Sequence, residues 1–255
     1  GQSSTKFGVS TSQNEAADLY RKMAANPHIR PSGLAVHIGS QIIELEPFER
    51  AYSALLSFGT ALRDKGLEVP VLDLGGGIGV DYQDGTPTDF TAYGELVSRL
   101  FAGSGFRLGF EPGRSIVANN GVLLTRVIYV KDGDNKRFAI VDAAMNDLLR
   151  PTLYEAHHDI RSVGPEGAIE GPADIVGPVC ETGDYLGLDR MMPSLAAGDC
   201  LAVMSAGAYG AVMASSYNTR PPAGEVMVLD DEVHILRRRR DVAELLAEEI
   251  IPDFG

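Results

Sequence analysis

Apolar segments typical of strands alternate with amphipathic segments typical of helices along the first 114 residues. Strands are predicted at residues 33–38, 71–74 and 107–110, and a helical pattern follows each of the first two. Such alternation favours parallel strands that are joined by helical crossovers. We therefore expect a β/α architecture in this part of the chain, in which the loops after the strands share one face.

Each of these loops is polar or rich in glycine: they span His37–Gln41, Gly75–Gly79 and Glu111–Arg114. The glycines in the middle loop leave a row of backbone N–H groups with no side chains in front of them. Phosphate groups bind to backbone N–H groups that are exposed in this way, although a tightly packed turn also uses glycine. The sequence therefore indicates a phosphate-bearing ligand at this face.

The composition limits the class of protein. The chain has 255 residues, and 35 acidic against 22 basic residues give a net charge of −13 at pH 7. This charge disfavours nucleic acid and anionic membrane surfaces as partners. No stretch reaches the roughly 18 apolar residues of a membrane span, and the sequence does not begin with a signal-peptide pattern. We expect a cytoplasmic protein without a nucleic-acid, membrane or metal partner.

The pattern becomes rich in strands after Arg114. Branched residues at Gly121–Lys131 and Arg137–Val141 predict a hairpin, and shorter strands are expected at residues 173–179, 200–204, 226–229 and 233–236. We place a boundary between residues 117 and 118, with a β domain at 118–255. The arginine run Arg237–Arg240 is interpreted as a solvated face rather than a nucleic-acid site, because acidic residues follow it.

Six motifs occur in the order shown by the fold type III pyridoxal-phosphate decarboxylases. They are Val36-His-Ile-Gly-Ser-Gln41, Asp73-Leu-Gly-Gly-Gly-Ile-Gly79, Glu111-Pro-Gly-Arg114, Met145-Asn-Asp-Leu-Leu-Arg-Pro151, Cys180-Glu-Thr-Gly-Asp184 and Gly207-Ala-Tyr-Gly210. The chain thus resembles the diaminopimelate decarboxylase family. The resemblance implies an α/β fold plus a β fold: residues 1–117 form roughly the second half of an alanine-racemase-like (β/α)8 barrel, and 118–255 form a β-barrel or sandwich domain. It also implies pyridoxal 5′-phosphate as the cofactor and conversion of meso-2,6-diaminopimelate to L-lysine and carbon dioxide.

The resemblance assigns a set of residues to the cofactor. Glu111 would pair with the ring nitrogen, where a carboxylate favours the charged pyridinium that accepts the electron pair left at Cα. His37 resembles the histidine that packs on the ring face. The other implied cofactor contacts are Ser40, Gly75, Gly76, Gly77, Gly113, Arg114 and Tyr209.

A second set is assigned to the substrate. Arg114, Arg150 and Tyr154 would hold the distal carboxylate, since arginine grips carboxylates with two parallel hydrogen bonds. Glu181 resembles the residue that pairs with the distal ammonium group, and Tyr209 reaches both cofactor and substrate. Cys180 is the candidate catalytic acid, because a thiol whose pKa is lowered can return a proton to Cα. In the family the Cys180–Glu181 loop and Tyr209 lie at a two-fold interface, so a homodimer with shared active sites is expected.

The Schiff-base lysine of the family is missing from this sequence. The five lysines are Lys6, Lys22, Lys65, Lys131 and Lys136, and none lies in the motif that carries the anchoring lysine. Only three strands, and a fourth candidate at Lys6–Val9, precede the β-rich part, whereas a complete barrel takes about 250 residues. We expect a C-terminal portion of a longer chain, inactive without the N-terminal half.

Two alternatives remain open. The chain could be a non-catalytic homologue that acts as a scaffold or partner subunit. It could also belong to a related decarboxylase of arginine, ornithine or carboxynorspermidine. Retention of Arg150, Tyr154, Cys180 and Glu181 favours the diaminopimelate enzyme, because a scaffold has no need of them.

Overall fold

The computed structural model describes residues 6–10, 14–83, 88–164 and 167–254. These residues form two compact units. Unit 1 contains the described residues up to Asp81 and those from 88 to Ile116, and unit 2 contains Tyr82, Gln83 and the described residues from Val117 onwards.

Unit 1 alternates strands with helices along a parallel sheet. Its strands β1 (Gly33–Ala35), β2 (Val71–Asp73) and β3 (Arg107–Gly109) pair in that order and in register, so that Gly33 lies opposite Val71, and Val71 opposite Arg107. The predicted β/α architecture is therefore confirmed. The elements are α1 (Glu15–Ala24), β1 (Gly33–Ala35), α2 (Glu46–Asp64), β2 (Val71–Asp73), α3 (Phe90–Phe101), β3 (Arg107–Gly109) and α4 (Arg114–Val117).

Two details of the prediction for unit 1 are wrong. The candidate strand at Lys6–Val9 does not form, and Gly8 there has a left-handed φ of 75° that interrupts an extended conformation. The first strand ends at Ala35 rather than at Ile38. Ile38 nevertheless packs against the core, and this packing explains why an apolar residue lies beyond the last strand pair.

The core of unit 1 lies between the sheet and helices α2 and α3. Phe48 and Tyr52 from α2 and Tyr93 from α3 are buried and in ring contact. The hydroxyl groups of Tyr52 and Tyr93 are 2.7 Å apart and share a hydrogen bond. Buried tyrosines require such a partner, so this pair fixes how the two helices pack on the sheet.

Unit 2 is built on a six-stranded sheet with the order β6 (Ile160–Val163), β9 (Cys200–Val203), β4 (Leu123–Asp132), β5 (Arg137–Val141), β7 (Ile169–Val176) and β8 (Tyr185–Pro193). The strands β10 (Glu225–Leu229) and β11 (Glu232–Arg237) form a separate hairpin. The end strands β6 and β8 contact each other, so the sheet curls towards a barrel. The elements are β4 (Leu123–Asp132), β5 (Arg137–Val141), α5 (Arg150–Tyr154), β6 (Ile160–Val163), β7 (Ile169–Val176), β8 (Tyr185–Pro193), β9 (Cys200–Val203), β10 (Glu225–Leu229), β11 (Glu232–Arg237) and α6 (Val242–Leu246).

The interior of this curled sheet is apolar, with Val127, Leu148, Ile175 and Leu201 buried. Outside it, the arginine run is solvent-exposed, and Arg238 pairs with Glu244 of α6, as expected for a solvated face. Of the helices that the structure describes, none has both the length and the apolar content needed to cross a membrane.

Candidate active site

Hydrogen bonds join the loops that follow the three strands of unit 1. The Val36 N–H donates to Asp73 O at 2.9 Å, Leu74 N–H to Gly109 O at 2.9 Å, and Glu111 N–H to Gly75 O at 2.8 Å. Because the strands are parallel, these loops lie at the same end of the sheet. The structure therefore brings together the unit 1 residues that the motifs singled out.

The loop Gly75–Gly79, which we call the glycine loop, has no space for a Cβ atom at Gly75, Gly76 or Gly77. A Cβ on Gly75 would lie 2.2 Å from Val36 O, one on Gly76 would lie 2.3 Å from Glu111 O, and one on Gly77 would lie 2.3 Å from Gly39 O. Gly75 and Gly77 also have left-handed φ angles of 68° and 97°, which glycine adopts without strain. The Gly75 N–H already donates to Asp73 Oδ1 at 2.8 Å, so of these three amides only those of Gly76 and Gly77 are left to a phosphate.

Two amides of this loop suit an anion. Within the described residues, neither the Gly76 nor the Gly77 N–H donates a hydrogen bond to protein, and Gly76 is buried. Buried N–H groups in folded proteins nearly always have a partner. A phosphate oxygen is an acceptor of the right kind.

Other polar groups lie on the neighbouring loops. Arg114 NH2 donates to Ser40 Oγ at 3.0 Å, and the space in front of Gly113 is open. The Ser115 hydroxyl is a buried oxygen without a hydrogen-bond partner in the described structure, and Ser115 lies outside the six sequence motifs. The Ser40 hydroxyl and the Arg114 guanidinium, with the glycine amides, fit a phosphate. The side chains of His37 and Glu111 are exposed.

None of the strands described in unit 1 carries a lysine. Lys22 lies on α1 and Lys65 is the C-cap residue of α2, and the side chains of both are exposed. In unit 2, Lys131 lies at the exposed end of β4, and Lys136 is bound to Asp174 at 2.8 Å. Lys6 is also exposed. Within unit 1, none of Lys6, Lys22 and Lys65 lies at the end of a described strand beside the glycine loop.

In unit 2, hydrogen bonds connect α5 to the loop that carries Cys180 and Glu181. The Thr152 hydroxyl donates to Gly183 O at 2.5 Å, and the Tyr185 hydroxyl donates to Pro151 O at 3.0 Å. The structure thus places the elements that carry Arg150, Tyr154, Cys180 and Glu181 side by side. The side chains of Tyr154, Cys180 and Glu181 are exposed, and Tyr154 reaches 62%.

Asp184 holds this loop in place. Its two carboxylate oxygens accept hydrogen bonds from Met145 N–H at 2.6 Å and from Val179 N–H at 2.7 Å. Burial raises the pKa of Asp184 above its ordinary value, against the lowering effect of these two bonds. Although Asp184 closes one of the motifs, its positioning role depends on contacts with residues distant in sequence, which the motif did not reveal.

Arg150 is buried rather than open to solvent. Its guanidinium lies over the Tyr82 ring, with Cζ 4.3 Å from the ring centroid, and NH1 is 2.7 Å from His158 Nε2. Burial lowers the pKa of His158 to about 4. Tyr82 and His158 belong to none of the sequence motifs, because a single tyrosine and a single histidine carry no spacing signal of their own.

Tyr209 stands in a constrained loop of unit 2. It has a left-handed φ of 58°, which costs a non-glycine residue on the order of 1 kcal/mol and is often found at functional sites. Its neighbours Ala208 and Gly210 are buried while its own side chain is exposed. A Cβ on Gly207 would lie 1.9 Å from Val117 O, so this loop is closely packed against the start of unit 2.

Comparison with known proteins gives consistent matches. Residues 17–207 match the family described as pyridoxal-dependent decarboxylase, C-terminal sheet domain. The chain is 48% identical over 251 residues to diaminopimelate decarboxylase of Zymomonas mobilis, covering 98% of this chain and 59% of that protein. For the Pseudomonas aeruginosa enzyme of the same name, identity is 49% over 253 residues, with 99% and 60% covered. The chain thus spans about three-fifths of the length of these curated relatives.

A solved structure is similar in fold as well. The crystal structure of diaminopimelate decarboxylase from Helicobacter pylori complexed with L-lysine has a TM-score of 0.89 and 39% sequence identity to this chain, with 96% of this chain and 60% of that one covered. These similarities confirm the predicted fold class, a portion of a β/α barrel followed by a C-terminal sheet domain.

Proposed function

Since the chain belongs to the pyridoxal-dependent decarboxylase family, we propose that it is part of an enzyme that converts meso-2,6-diaminopimelate to L-lysine and carbon dioxide. The observation that carries the proposal is the glycine loop of unit 1, where the N–H of the buried Gly76 has no protein partner within the described residues and a neighbouring loop carries Ser40 in contact with Arg114. Identity of 48% and 49% to diaminopimelate decarboxylases over nearly the whole chain supports the substrate.

Pyridoxal 5′-phosphate would be held at the strand ends of unit 1. The Gly76 and Gly77 amides and the Ser40 hydroxyl would donate to its phosphate, and the Arg114 guanidinium would add positive charge. Glu111 would keep the ring nitrogen protonated by direct pairing, and His37 would pack on the ring face. When bound, the cofactor supplies an electron sink for the pair that carbon dioxide leaves behind at Cα.

The distal end of the substrate carries a carboxylate and an ammonium group, and unit 2 offers a partner for each. We assign the carboxylate to Arg150 and the Tyr154 hydroxyl. Glu181 is assigned to the ammonium group. Arg150 and Tyr154 are the first and last residues of α5, and hydrogen bonds connect that helix to the loop of Glu181.

Cys180 is assigned the return of a proton to Cα after carbon dioxide departs. The thiol is exposed, and Asp184 fixes the backbone beside it through Val179 N–H. A positioned acid of this kind contributes about 10²- to 10⁴-fold to rate. Cys200, the other cysteine, lies in β9 within the sheet and is not assigned a role.

The exposed residues Tyr154, Cys180, Glu181 and Tyr209 need a surface that covers them, since decarboxylation is favoured where water is excluded. We propose that a second copy of the chain provides this cover and that the native enzyme is a homodimer. We also propose that the anchoring lysine comes from polypeptide outside these 255 residues. The positions of the five lysines and the greater length of the relatives support this proposal.

One experiment separates this proposal from a non-catalytic homologue. Protein purified from its native source is incubated with pyridoxal 5′-phosphate, reduced with borohydride and mapped by mass spectrometry. We expect a pyridoxyl group on a lysine other than Lys6, Lys22, Lys65, Lys131 and Lys136. An adduct on none of the polypeptides present would refute the enzymatic assignment and favour the scaffold alternative.

A further inference from the structure

Three side chains of unit 2, Tyr82, Arg150 and His158, form a buried cluster that we call the arginine clamp. Their exposed fractions are 8%, 6% and 0%. The Arg150 guanidinium lies over the Tyr82 ring and contacts His158 Nε2, while the Tyr82 and His158 rings meet edge to face at 5.0 Å. Each member of the clamp therefore contacts the other two.

The hydrogen bonds of His158 define its protonation. Its Nδ1 is 2.8 Å from Met204 O, and because a carbonyl oxygen can only accept, Nδ1 must carry the hydrogen. Nε2 then has a free lone pair and accepts from Arg150 NH1 at 2.7 Å. The lowered pKa of His158, caused first by burial, agrees with a neutral ring at neutral pH.

The backbone holds two members of the clamp against the sheet. Asp159 N–H donates to Tyr82 O at 3.1 Å, and Met204 N–H donates to Asp159 O at 2.8 Å. Directly after these bonds, Ile160 of β6 pairs with Val203 of β9. Tyr82 and His158 are therefore fixed by the sheet and not by the short helix α5 that carries Arg150.

The chemistry of the clamp suits an arginine that must bind an anion. An aromatic face and a neutral imidazole each orient a guanidinium, and neither carries a negative charge that would neutralise it. A carboxylate in the place of His158 would orient Arg150 equally well but would compete with a carboxylate ligand.

We propose that Tyr82 and His158 are positioning residues that hold the Arg150 guanidinium ready for the distal carboxylate of the substrate. The inference rests on the proposed function, because it takes Arg150 as the residue that binds this carboxylate. It adds two residues that no motif of the chain identified, and it assigns them to specificity for the carboxylate rather than to the chemistry at Cα.

The test compares two ligands that differ by one carboxylate. L-lysine has the distal carboxylate, and cadaverine is the same diamine without it. Dissociation constants for both are measured by calorimetry on the native holoenzyme, and selectivity is the ratio of the cadaverine Kd to the L-lysine Kd. This ratio does not depend on the fraction of folded protein, because both ligands are bound by the same molecules.

We expect His158→Leu and Tyr82→Leu each to lower the selectivity about tenfold or more, as loss of an oriented charged contact implies. The conservative variants His158→Gln, which keeps an acceptor, and Tyr82→Phe, which keeps the ring, should stay within about threefold of the unmodified protein. His157→Leu is the matched control, since His157 is the exposed neighbour that contacts Arg190 instead, and it should leave the selectivity unchanged.

The outcomes separate the two proposals. If Arg150→Ala keeps the selectivity, the assignment of the carboxylate to Arg150 fails, and the clamp fails with it. If Arg150→Ala abolishes the selectivity but both leucine variants keep it, only the clamp is overturned. Equal weakening of both ligands also overturns it, because a merely structural role predicts that result. If His158→Leu is insoluble, the comparison of Tyr82→Leu with Tyr82→Phe tests the clamp instead. Loss of selectivity in Tyr82→Leu but not in Tyr82→Phe supports the clamp, and the same selectivity in both variants refutes it.

Discussion

Substitution of Gly76 by alanine tests the packing of the glycine loop and the cofactor site together. A Cβ at this position would lie 2.3 Å from Glu111 O and 3.1 Å from Glu111 C. Both atoms belong to backbone, which cannot rotate away as a flexible side chain can. The loop after β2 and the loop after β3 must therefore separate, by about 1 Å if an ordinary contact is to be restored.

The expected cost has two parts. Overpacking of a closely packed region costs about 1–3 kcal/mol. The separation also stretches the hydrogen bond from Glu111 N–H to Gly75 O, now 2.8 Å, whose loss costs about 1 kcal/mol. We expect the free energy of unfolding to fall by about 2–4 kcal/mol. Affinity for pyridoxal 5′-phosphate should fall as well, because the Gly76 amide and the Glu111 carboxylate are displaced.

The assay is urea denaturation of the native protein, combined with absorbance titration of pyridoxal 5′-phosphate. Gly94→Ala is the matched control, since Gly94 lies within α3 and a Cβ there meets nothing within 4 Å. Alanine in an exposed helix should stabilise the protein by about 0.5–1 kcal/mol. A Gly76→Ala protein with unchanged stability and cofactor affinity would refute this account of the loop.

Three further predictions concern unit 2. The free energy of unfolding should fall by about 2–3 kcal/mol as the pH drops from 6.5 to 4, because unfolded His158 becomes fully protonated in this window while folded His158, with a pKa of about 4, stays mostly neutral until the pH nears 4; urea denaturation should show this slope, and an unchanged slope in His158→Gln would contradict it. Asp184→Asn leaves one of its two backbone donors without an acceptor, so the free energy of unfolding should fall by about 1–3 kcal/mol. The control Asp231→Asn, at the exposed turn of the β10–β11 hairpin, should not change the denaturation midpoint. Cys180→Ser should lower kcat about 100-fold or more with little change in KM, while Cys200→Ala should keep kcat; equal rates for the two variants would remove Cys180 from the mechanism.

Periodicity predicted the elements whose apolar residues repeat without interruption. The strand at Arg137–Val141 occurs where it was predicted, because its apolar residues pair within the sheet. Strand β8 was missed because Gly187, Asp189 and Arg190 break the alternation in Tyr185–Pro193. Strand β6 was missed because it has only four residues, and Arg161 and Ser162 are two of them. Its pairing with β9 depends on long-range contact that local sequence does not record.

The residues of the candidate site likewise fall into those that can be predicted from local sequence and those that cannot. Residues inside compact motifs, such as Gly75–Gly77 or Cys180–Asp184, can be found from sequence because their spacing is itself the signal. Tyr82 and His158 cannot, since their relation to Arg150 exists only after β6 and β9 have paired. The Ser115 hydroxyl was missed for a different reason, because burial without a partner is a property of the folded chain alone.

The most direct measurement of the central claim is the release of carbon dioxide by the native holoenzyme from four substrates supplied separately: meso-2,6-diaminopimelate, arginine, ornithine and carboxynorspermidine. The account predicts release from diaminopimelate with one L-lysine formed for each carbon dioxide, and far slower release from the other three. It also predicts that Arg150→Ala selectively removes the diaminopimelate activity. Faster turnover of any of the other three, or no release from diaminopimelate by protein that carries the cofactor, would contradict the assignment.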